Sequence, residues 1–442
     1  MTDQQTPRQN PTKQGKTPPK RPPFEQRRKL VDASKLSEAD SWKLGLSLTK
    51  EGRISSASFL NACLIARHWE PLKGMRYNEL RMVPHTIDGG PIRDVDTLRW
   101  RREIEKEWGA CFSKDMLEDA FMVESSEYAF HPIKEYLDAL RWDGKDRIGA
   151  ILTEVIRAPE DNLKSMMIRR WLCQAVRRLY QPGLQADATL VLLSQKMGKR
   201  KTSFFKTLAE PTGEKWWTAG AFDHADKDTL MKLHCHWICI LDEMDEFLKS
   251  RDRAAYCSWL TETSDDFRPP YGRRIGSYPR AMVFGGTTND DQCLRDPHGT
   301  RRFWLIETEQ RINTELLAEW RDQIWAQSKV LADTPIFEHW LSAEDDDARE
   351  SAAAIYKPAT ELEDRVEGYC KDKTTVNVSE MLSIVLNIPV AEALTHHREE
   401  AQARNALTRM GWRSIGVRTY LDEKGKTRQR REWAAPEGWL KG

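Results

Sequence analysis

Two short stretches hold residues with the types and spacing of phosphate chemistry. Residues 191–208 read VLLSQKMGKRKTSFFKTL, and residues 237–246 read WICILDEMDE. In the first, an apolar run leads into a cationic loop and then a helical pattern. A strand, a loop and a helix N-terminus in that order gather backbone N–H groups around phosphates. A lysine then reaches the β- and γ-phosphates of ATP, and a hydroxyl meets Mg²⁺. The best register is Gln195-Lys196-Met197-Gly198-Lys199-Arg200-Lys201-Thr202. It sets Lys201 and Thr202 on the last two positions of G-x-x-x-x-G-K-[ST], with Gly198 inside the loop and Ser203 just after it. Gln195 and Arg200 replace both glycines of that pattern. Those glycines permit unusual dihedrals and close approach of backbone to phosphate, so Arg200 is expected to crowd the loop. A basic strand-to-helix turn with no nucleotide is the competing reading.

The second stretch ends an apolar run on Asp242 and Glu243. An aspartate at a strand tip holds Mg²⁺ through water, and a neighbouring glutamate activates the attacking water. A third apolar run, Ala281 to Thr288, ends at Asn289, where an amide would orient that water. Arg301 and Arg302 precede a fourth run. Arginines aimed at a γ-phosphate across a subunit boundary stabilise transition-state charge. A surface ion pair is the plain alternative for either one. Between the acids and Asn289 lies DDFRPPYGRR, residues 265–274. Its Arg268, Arg273 and Arg274 around an aromatic suit a loop that grips a nucleic-acid strand, or one that docks on a neighbouring subunit.

These residues need a parallel sheet to place them. Thr189–Leu193 and Ile238–Leu241 are continuous apolar runs, the pattern of strands buried on both faces. Thr202–Ala209 fits a helix with Phe204, Phe205 and Leu208 inward. Before them, Met166–Tyr180 reads as an amphipathic helix, with Arg169, Arg170, Arg177 and Arg178 on a solvated face. His131 before Pro132 is a helix entry with proline in the first turn rather than a catalytic histidine.

The chain has 442 residues, 31% of them charged, with a formal net charge of +1. That balance gives no global signal for nucleic acid, so any such signal is local. No run of about 18 apolar residues occurs, which argues against a membrane span. The eight cysteines form no C-x-x-C pair, the usage expected of reduced thiols in the cytoplasm. His234, Cys235, His236 and Cys239 crowd metal-ligand types together. No second cluster follows, so a buried strand is favoured over zinc.

The expected organisation is a disordered basic tail (1–30), a helical N-terminal domain (31–150), an α/β core (151–345), an acidic linker (346–360) and a small C-terminal domain (361–442). In the last, helices are followed by a hairpin carrying Lys426, Arg428 and Arg430, with its turn at Gly425. That pattern resembles a winged helix-turn-helix, and its charge suits a DNA phosphate footprint. A solvated hairpin or a protein-contact wing remains the alternative.

WDGKDRI, VLLSQKMGKRKTSFF, WICILDE, DDFRPPYGRR, GGTTND and GTRRFW follow one another in order. Over roughly residues 70–345 the chain resembles the virulence-associated E family, related to superfamily 3 helicases of phages, plasmids and mobile islands. The resemblance implies a P-loop, AAA+-like ATPase core that assembles as a homo-oligomeric ring and moves or melts DNA, single-stranded or origin duplex. It implies Lys201 and Thr202 as nucleotide ligands and Asp242 with Glu243 as the metal and base pair. It also implies Asn289 as sensor and Arg301 or Arg302 as the arginine given in trans. The family's loop resembles G-x-Q-G-x-G-K-S-T, from which Gln195, Met197 and Arg200 depart. A catalytically silent DNA-binding or assembly protein on the same fold is the second reading.

Overall fold

The computed structural model describes residues 38–244, 253–269, 272, 274–290, 293, 300–335, 337–353, 356, 361–390, 396–421, 427–436 and 439. The tail expected over 1–30 lies outside them. The chain divides into two compact units, residues 1–130 and 131–442.

In the first unit, helices α1 (Phe59–His68) and α2 (Asp94–Trp108) pack on α3 (Lys114–Ser126), which also packs on a two-stranded hairpin, β1 (Arg76–Asn78) and β2 (Val83–His85). Ala62, Ile65, Ile104, Phe112, Leu117 and Phe121 form its core. Two helix starts follow the usual capping chemistry, Ser58 accepting from Asn61 N–H and Ser113 from Met116 N–H.

The second unit begins with α4 (Pro132–Ala139), where His131 is the N-cap and Pro132 occupies the first turn. His131 Nδ1 accepts from the Lys134 amide. Burial pushes its pKa down to about 4, which keeps the ring neutral for that role. Residues 131–148 belong to this unit because they pack on the long helix α9 (Thr314–Asp333). Tyr136 donates to Asp322, and Gln327 Oε1 accepts from the Arg147 and Ile148 amides.

Helix α5 spans Asn162–Tyr180 and leads into β3 (Thr189–Leu193). Then come α6 (Lys201–Leu208), β4 (Trp217–Gly220), α7 (Lys227–His234), β5 (Ile238–Leu241), α8 (Arg253–Leu260), a hairpin of β6 (Ser264–Phe267) and β7 (Gly276–Pro279), β8 (Val283–Thr288) and β9 (Phe303–Glu307). Five of these strands form one all-parallel sheet in the order β4-β5-β8-β3-β9. Every residue of β3, β5 and β8 is buried, as their continuous apolar character requires. Indole N–H groups lock α5 to the sheet and α9 to α6. Trp171 of α5 donates to the Phe284 carbonyl, Trp237 to Ala175, and Trp325 of α9 to Leu208. A Cβ on Gly285 would lie 2.6 Å from the Phe205 ring, and one on Gly286 would collide with Met244. Glycines here let both faces of β8 be covered closely.

One expectation for α5 needs correction. Arg178 is not on a solvated face but 1% exposed. It donates to the carbonyls of Arg280, Ala186 and Glu262. Helical periodicity assigns a side of the helix, and a guanidinium with five donors can enter a core wherever carbonyls converge on it. Arg177 is also engaged, with the carbonyls of Ala332 and Thr334.

The acidic stretch read as a linker begins as helix α10 (Ala343–Ala353), with Glu344, Asp345 and Asp346 in its first turn. Carboxylates there oppose the helix dipole, which makes helix of a segment that composition alone reads as connector. Beyond it lie α11 (Glu361–Cys370), β10 (Thr375–Asn377), α12 (Val378–Leu386), α13 (His397–Arg409), β11 (Arg413–Leu421) and β12 (Thr427–Ala434). The three strands form an antiparallel sheet in the order β10-β12-β11. Val366, Met381, Leu382, Leu407, Trp412 and Trp433 fill its core with the helices. The cap of α12 is Asn377, which accepts from the Ser379 and Glu380 amides. No described helix is long and apolar enough to cross a membrane.

Candidate functional site

The C-terminal tips of β3, β8 and β5 are neighbours in the sheet, and the loop 194–200 leaves from the first of them. The turn at Gly198 has φ +76°, with open space where a Cβ would stand. Arg200, in place of the pattern's last glycine, has φ +64°. It therefore adopts the left-handed backbone a glycine would supply, at a steric cost of roughly 1–2 kcal/mol. Its side chain does not lie over the loop. Its Nη1 donates to both Glu315 oxygens, at 2.6 and 2.7 Å, and to Thr314 Oγ1 at 2.6 Å. That guanidinium holds the Glu315 carboxyl down at about 2. Lys199 is tied to the same segment, its Nζ donating to the Glu309 carbonyl and its own carbonyl accepting from Ile312 N–H. The crowding expected of Arg200 is relieved by drawing it toward α9.

Helix α6 starts without a side-chain cap, so its first N–H groups face the loop. Lys201, the first helical residue, is 8% exposed. Its Nζ donates to the Ser194 carbonyl at 3.1 Å and to Asn289 Oδ1 at 2.6 Å. Thr202 Oγ1 donates to Asp242 Oδ1 at 2.8 Å, and Thr287 Oγ1 donates to the same oxygen at 2.7 Å. Thr287 also accepts from the Glu243 amide at 3.3 Å. Glu243 is exposed and sits at φ +52°, a left-handed conformation for a residue with a Cβ. Such backbone persists where surroundings over-determine it. Ser203 is half-buried one residue further along α6.

Lys201, Thr202, Asp242, Glu243 and Asn289 are thus brought together, and Thr287 joins them unannounced. The sequence signal for Thr287 is its place two residues before Asn289. Leu241 opposes Gly286, so the next step along both strands sets Asp242 beside Thr287. Hydroxyl and carboxylate oxygens are the donors a hard cation such as Mg²⁺ accepts, through one or two protein groups plus waters. Thr202 and Asp242 fit that demand.

Arg301 and Arg302 do not join this cluster. They occupy a 3₁₀ turn just before β9, and Thr189 opposes Phe303 while Leu193 opposes Glu307. At about 3.3 Å per residue, Arg302 is roughly 16 Å of strand from the loop's edge of the sheet. Arg301 is exposed, and Arg302 buries an Nε without a hydrogen-bond partner among the described residues.

Arg268 and Arg274 are exposed around the β6–β7 hairpin, while Arg273 and Lys426 lie outside the described residues. Arg428 and Arg430 fall on β12, opposite Tyr420 and Arg418 of β11, with side chains outside the description. The zinc candidates have other partners. His234 Nε2 is 2.9 Å from Asp265 Oδ2, His236 Nδ1 is 2.7 Å from the Lys232 carbonyl, and buried Cys239 faces the Leu233 carbonyl. Among the described residues no group of three or more His, Cys, Asp or Glu side chains is placed to hold a metal.

That His234 contact belongs to a buried polar cluster which periodicity did not reveal. Arg280 makes a two-pronged pair with Asp265, 2.6 Å on each side, and donates to the Trp259 carbonyl at 2.7 Å. Burial works against the Asp265 charge, but hydrogen bonds from Arg280 and His234 outweigh it and hold its pKa well below the usual carboxylate range.

Among solved structures, the chain is similar to the apo structure of the NrS-1 C-terminal region (305–718), with 12% identity over 82% of this chain and 96% of that one, at a TM-score of 0.40. It is also similar to an A-form apo structure of the NrS-1 C-terminal region, with 12% identity over 68% and 78% of the two chains, at a TM-score of 0.36. A search of the curated proteins found no match. Residues 137–357, half of the chain, match the virulence-associated protein E-like domain. That span begins within α4, takes in every strand of the parallel sheet and ends just past α10, so the chain belongs to the virulence-associated protein E-like family.

Proposed function

We propose that this protein is a DNA-acting ATPase of a mobile genetic element, working in its replication as a P-loop, AAA+-type motor. The observation that carries the reading is the joining of Lys201 to Asn289 and of Thr202 and Thr287 to Asp242 across three adjacent parallel strand tips. A phosphate chain laid on loop 194–200 meets backbone N–H groups at the α6 start and the Lys201 ammonium. Thr202 and Asp242 would hold Mg²⁺, which would supply positive charge against the phosphates. Asn289 orients the attacking water, and Glu243, exposed at the tip of β5, accepts its proton.

The register of β9 against β3 keeps Arg301 and Arg302 from their own chain's loop, so a trans role follows if either acts on phosphate. This supports a homo-oligomer in which one subunit's arginine completes the next subunit's site. Arg268 and Arg274 on the β6–β7 hairpin offer cations to a DNA strand. The α12, α13 and β11–β12 arrangement is read as a winged-helix module whose basic hairpin meets DNA phosphates.

The test is ATP hydrolysis by the purified full chain, with and without single-stranded DNA, beside Glu243→Gln. DNA-stimulated turnover that disappears in the variant supports the motor. Absent turnover with DNA binding retained would replace it with a scaffold that keeps the fold and has given up the chemistry.

A further inference from the structure

The phosphate loop shares a wall with a cavity that no part of the preceding site uses. The cavity measures about 540 Å³, and its lining includes Arg157, Pro159, Lys164, Glu307, Glu309 and Gln310. One side is the end of a π-type turn, Ile151–Ile156, closed by Arg157 at φ +62°. Single π turns are uncommon and gather at functional sites, as do left-handed residues other than glycine. The other side is the segment just after β9, which is pinned to the loop. Thr308 N–H donates to the Leu193 carbonyl at the base of the loop, and Lys199 Nζ to the Glu309 carbonyl. Thr308 Oγ1 in turn donates to the Ile156 and Gln310 carbonyls, joining the two walls.

Strand order fixes which way a nucleotide would run. The groups proposed to act on the terminal phosphate, Asn289, Asp242 and Glu243, stand on the β8 and β5 side of β3. The rest of the molecule would therefore leave on the opposite side, toward β9, whose last residue Glu307 lines this cavity. Its chemistry is that of a base and sugar rather than of more phosphate. Glu307 and Glu309 balance the two cations, Arg157 and Lys164, so the lining gives no net attraction for a polyphosphate, and their carboxylates accept hydrogen bonds from sugar hydroxyls. A guanidinium such as Arg157 lies well on a base face, and the Gln310 amide both donates and accepts.

We infer that this cavity takes the ribonucleoside of the nucleotide, with Arg157 on the base and Glu309 on the ribose hydroxyls. The inference rests on the phosphate-loop reading above. Inorganic tripolyphosphate separates the two, because it engages the loop alone. The experiment is calorimetric binding of Mg-ATP, Mg-dATP and Mg-tripolyphosphate to the full chain. Alongside it go Arg157→Gly, which keeps the left-handed backbone without the guanidinium, Glu309→Gln, and Lys201→Ala.

Wild type is expected to bind ATP more tightly than tripolyphosphate. Arg157→Gly should weaken ATP about three- to five-fold, the scale of a cation–π contact at an exposed site, while changing tripolyphosphate less than about two-fold. Glu309→Gln should bring ATP and dATP closer together. ATP binding that is no tighter than tripolyphosphate, or that is indifferent to Arg157→Gly, would overturn the cavity's role. The phosphate loop would still stand if Lys201→Ala lost both ligands. Failure of wild type to bind either ligand would overturn both readings.

Discussion

The two edges of the parallel sheet each carry a cluster of charged side chains, and the clusters are built to opposite ends. At the C-terminal tips, buried Lys201 and Thr287 meet half-buried Asn289, Thr202 and Asp242, with Glu243 exposed beside them. Toward the N-terminal side, the side chains of Arg178, Arg280, Asp265 and His234 are buried and matched to one another or to carbonyls. The first arrangement leaves charge available to something arriving. The second spends its charge inside the protein, pinning α5, α7 and the β6–β7 hairpin to the sheet. The difference teaches that residue type alone does not tell the two apart: His234 carries the suggestive side chain, yet it is spent on Asp265.

That contrast can be broken from either side. Glu243→Gln should lower ATP turnover by about 10²–10⁴-fold, the usual contribution of a general base. Its thermal midpoint should stay at the wild-type value, because the side chain is exposed; a large loss of stability would mean the two edges are not distinct. Asp265→Asn should do the reverse. Removing one partner of a buried pair destabilises by about 3–5 kcal/mol, read as a lower urea midpoint, and Arg280 and His234 would lose their anion. A midpoint unchanged by that substitution would show the cluster to be incidental.

The sign with pH follows from the depressed Asp265 pKa. Its stabilisation is complete above the unfolded carboxylate value of about 4 and fades as pH falls below that. Acid-unfolding curves of wild type and Asp265→Asn should therefore converge at low pH, and parallel curves would contradict the assignment. The smallest effect is expected at Arg200→Gly. Relief of left-handed strain, roughly 1–2 kcal/mol, opposes loss of the Glu315 pair, which solvent screens to a weak interaction. Stability should change by about 1 kcal/mol or less, and ATP affinity by only a few-fold. A gain of a hundred-fold in turnover would mean Arg200 does obstruct the loop.

Much of the sheet was legible because β3, β5, β8 and β9 are unbroken apolar runs ending in polar residues, a pattern few other elements share. Strand β4 was not, since Trp217–Gly220 is short and only partly buried. The loop was half legible. Glycine in a pattern stands for a dihedral angle, and Arg200 meets that angle through contacts with Thr314 and Glu315, more than a hundred residues away. No local reading anticipates such a tether. The Asp265–Arg280 pair escaped for the same reason: each residue looks surface-bound in its own segment, and only the fold brings them face to face. Asp242 and Asn289 could be picked out because each follows an apolar run at a strand tip, and Lys201 with Thr202 because they close the strand, loop and helix pattern.

The separation of Arg302 from loop 194–200 along the β3–β9 register has a consequence for how copies of this chain would count. Under the trans reading each contact between copies is directional, with a giving face and a receiving face. A row of them has a head and a tail, and one terminal site lacks its donor until the row closes on itself. Activity would then rise more steeply than protein concentration in dilute solution. Mixing in Arg302→Ala subunits would silence intact neighbours, so that output tracks the number of unbroken junctions rather than the number of sound chains.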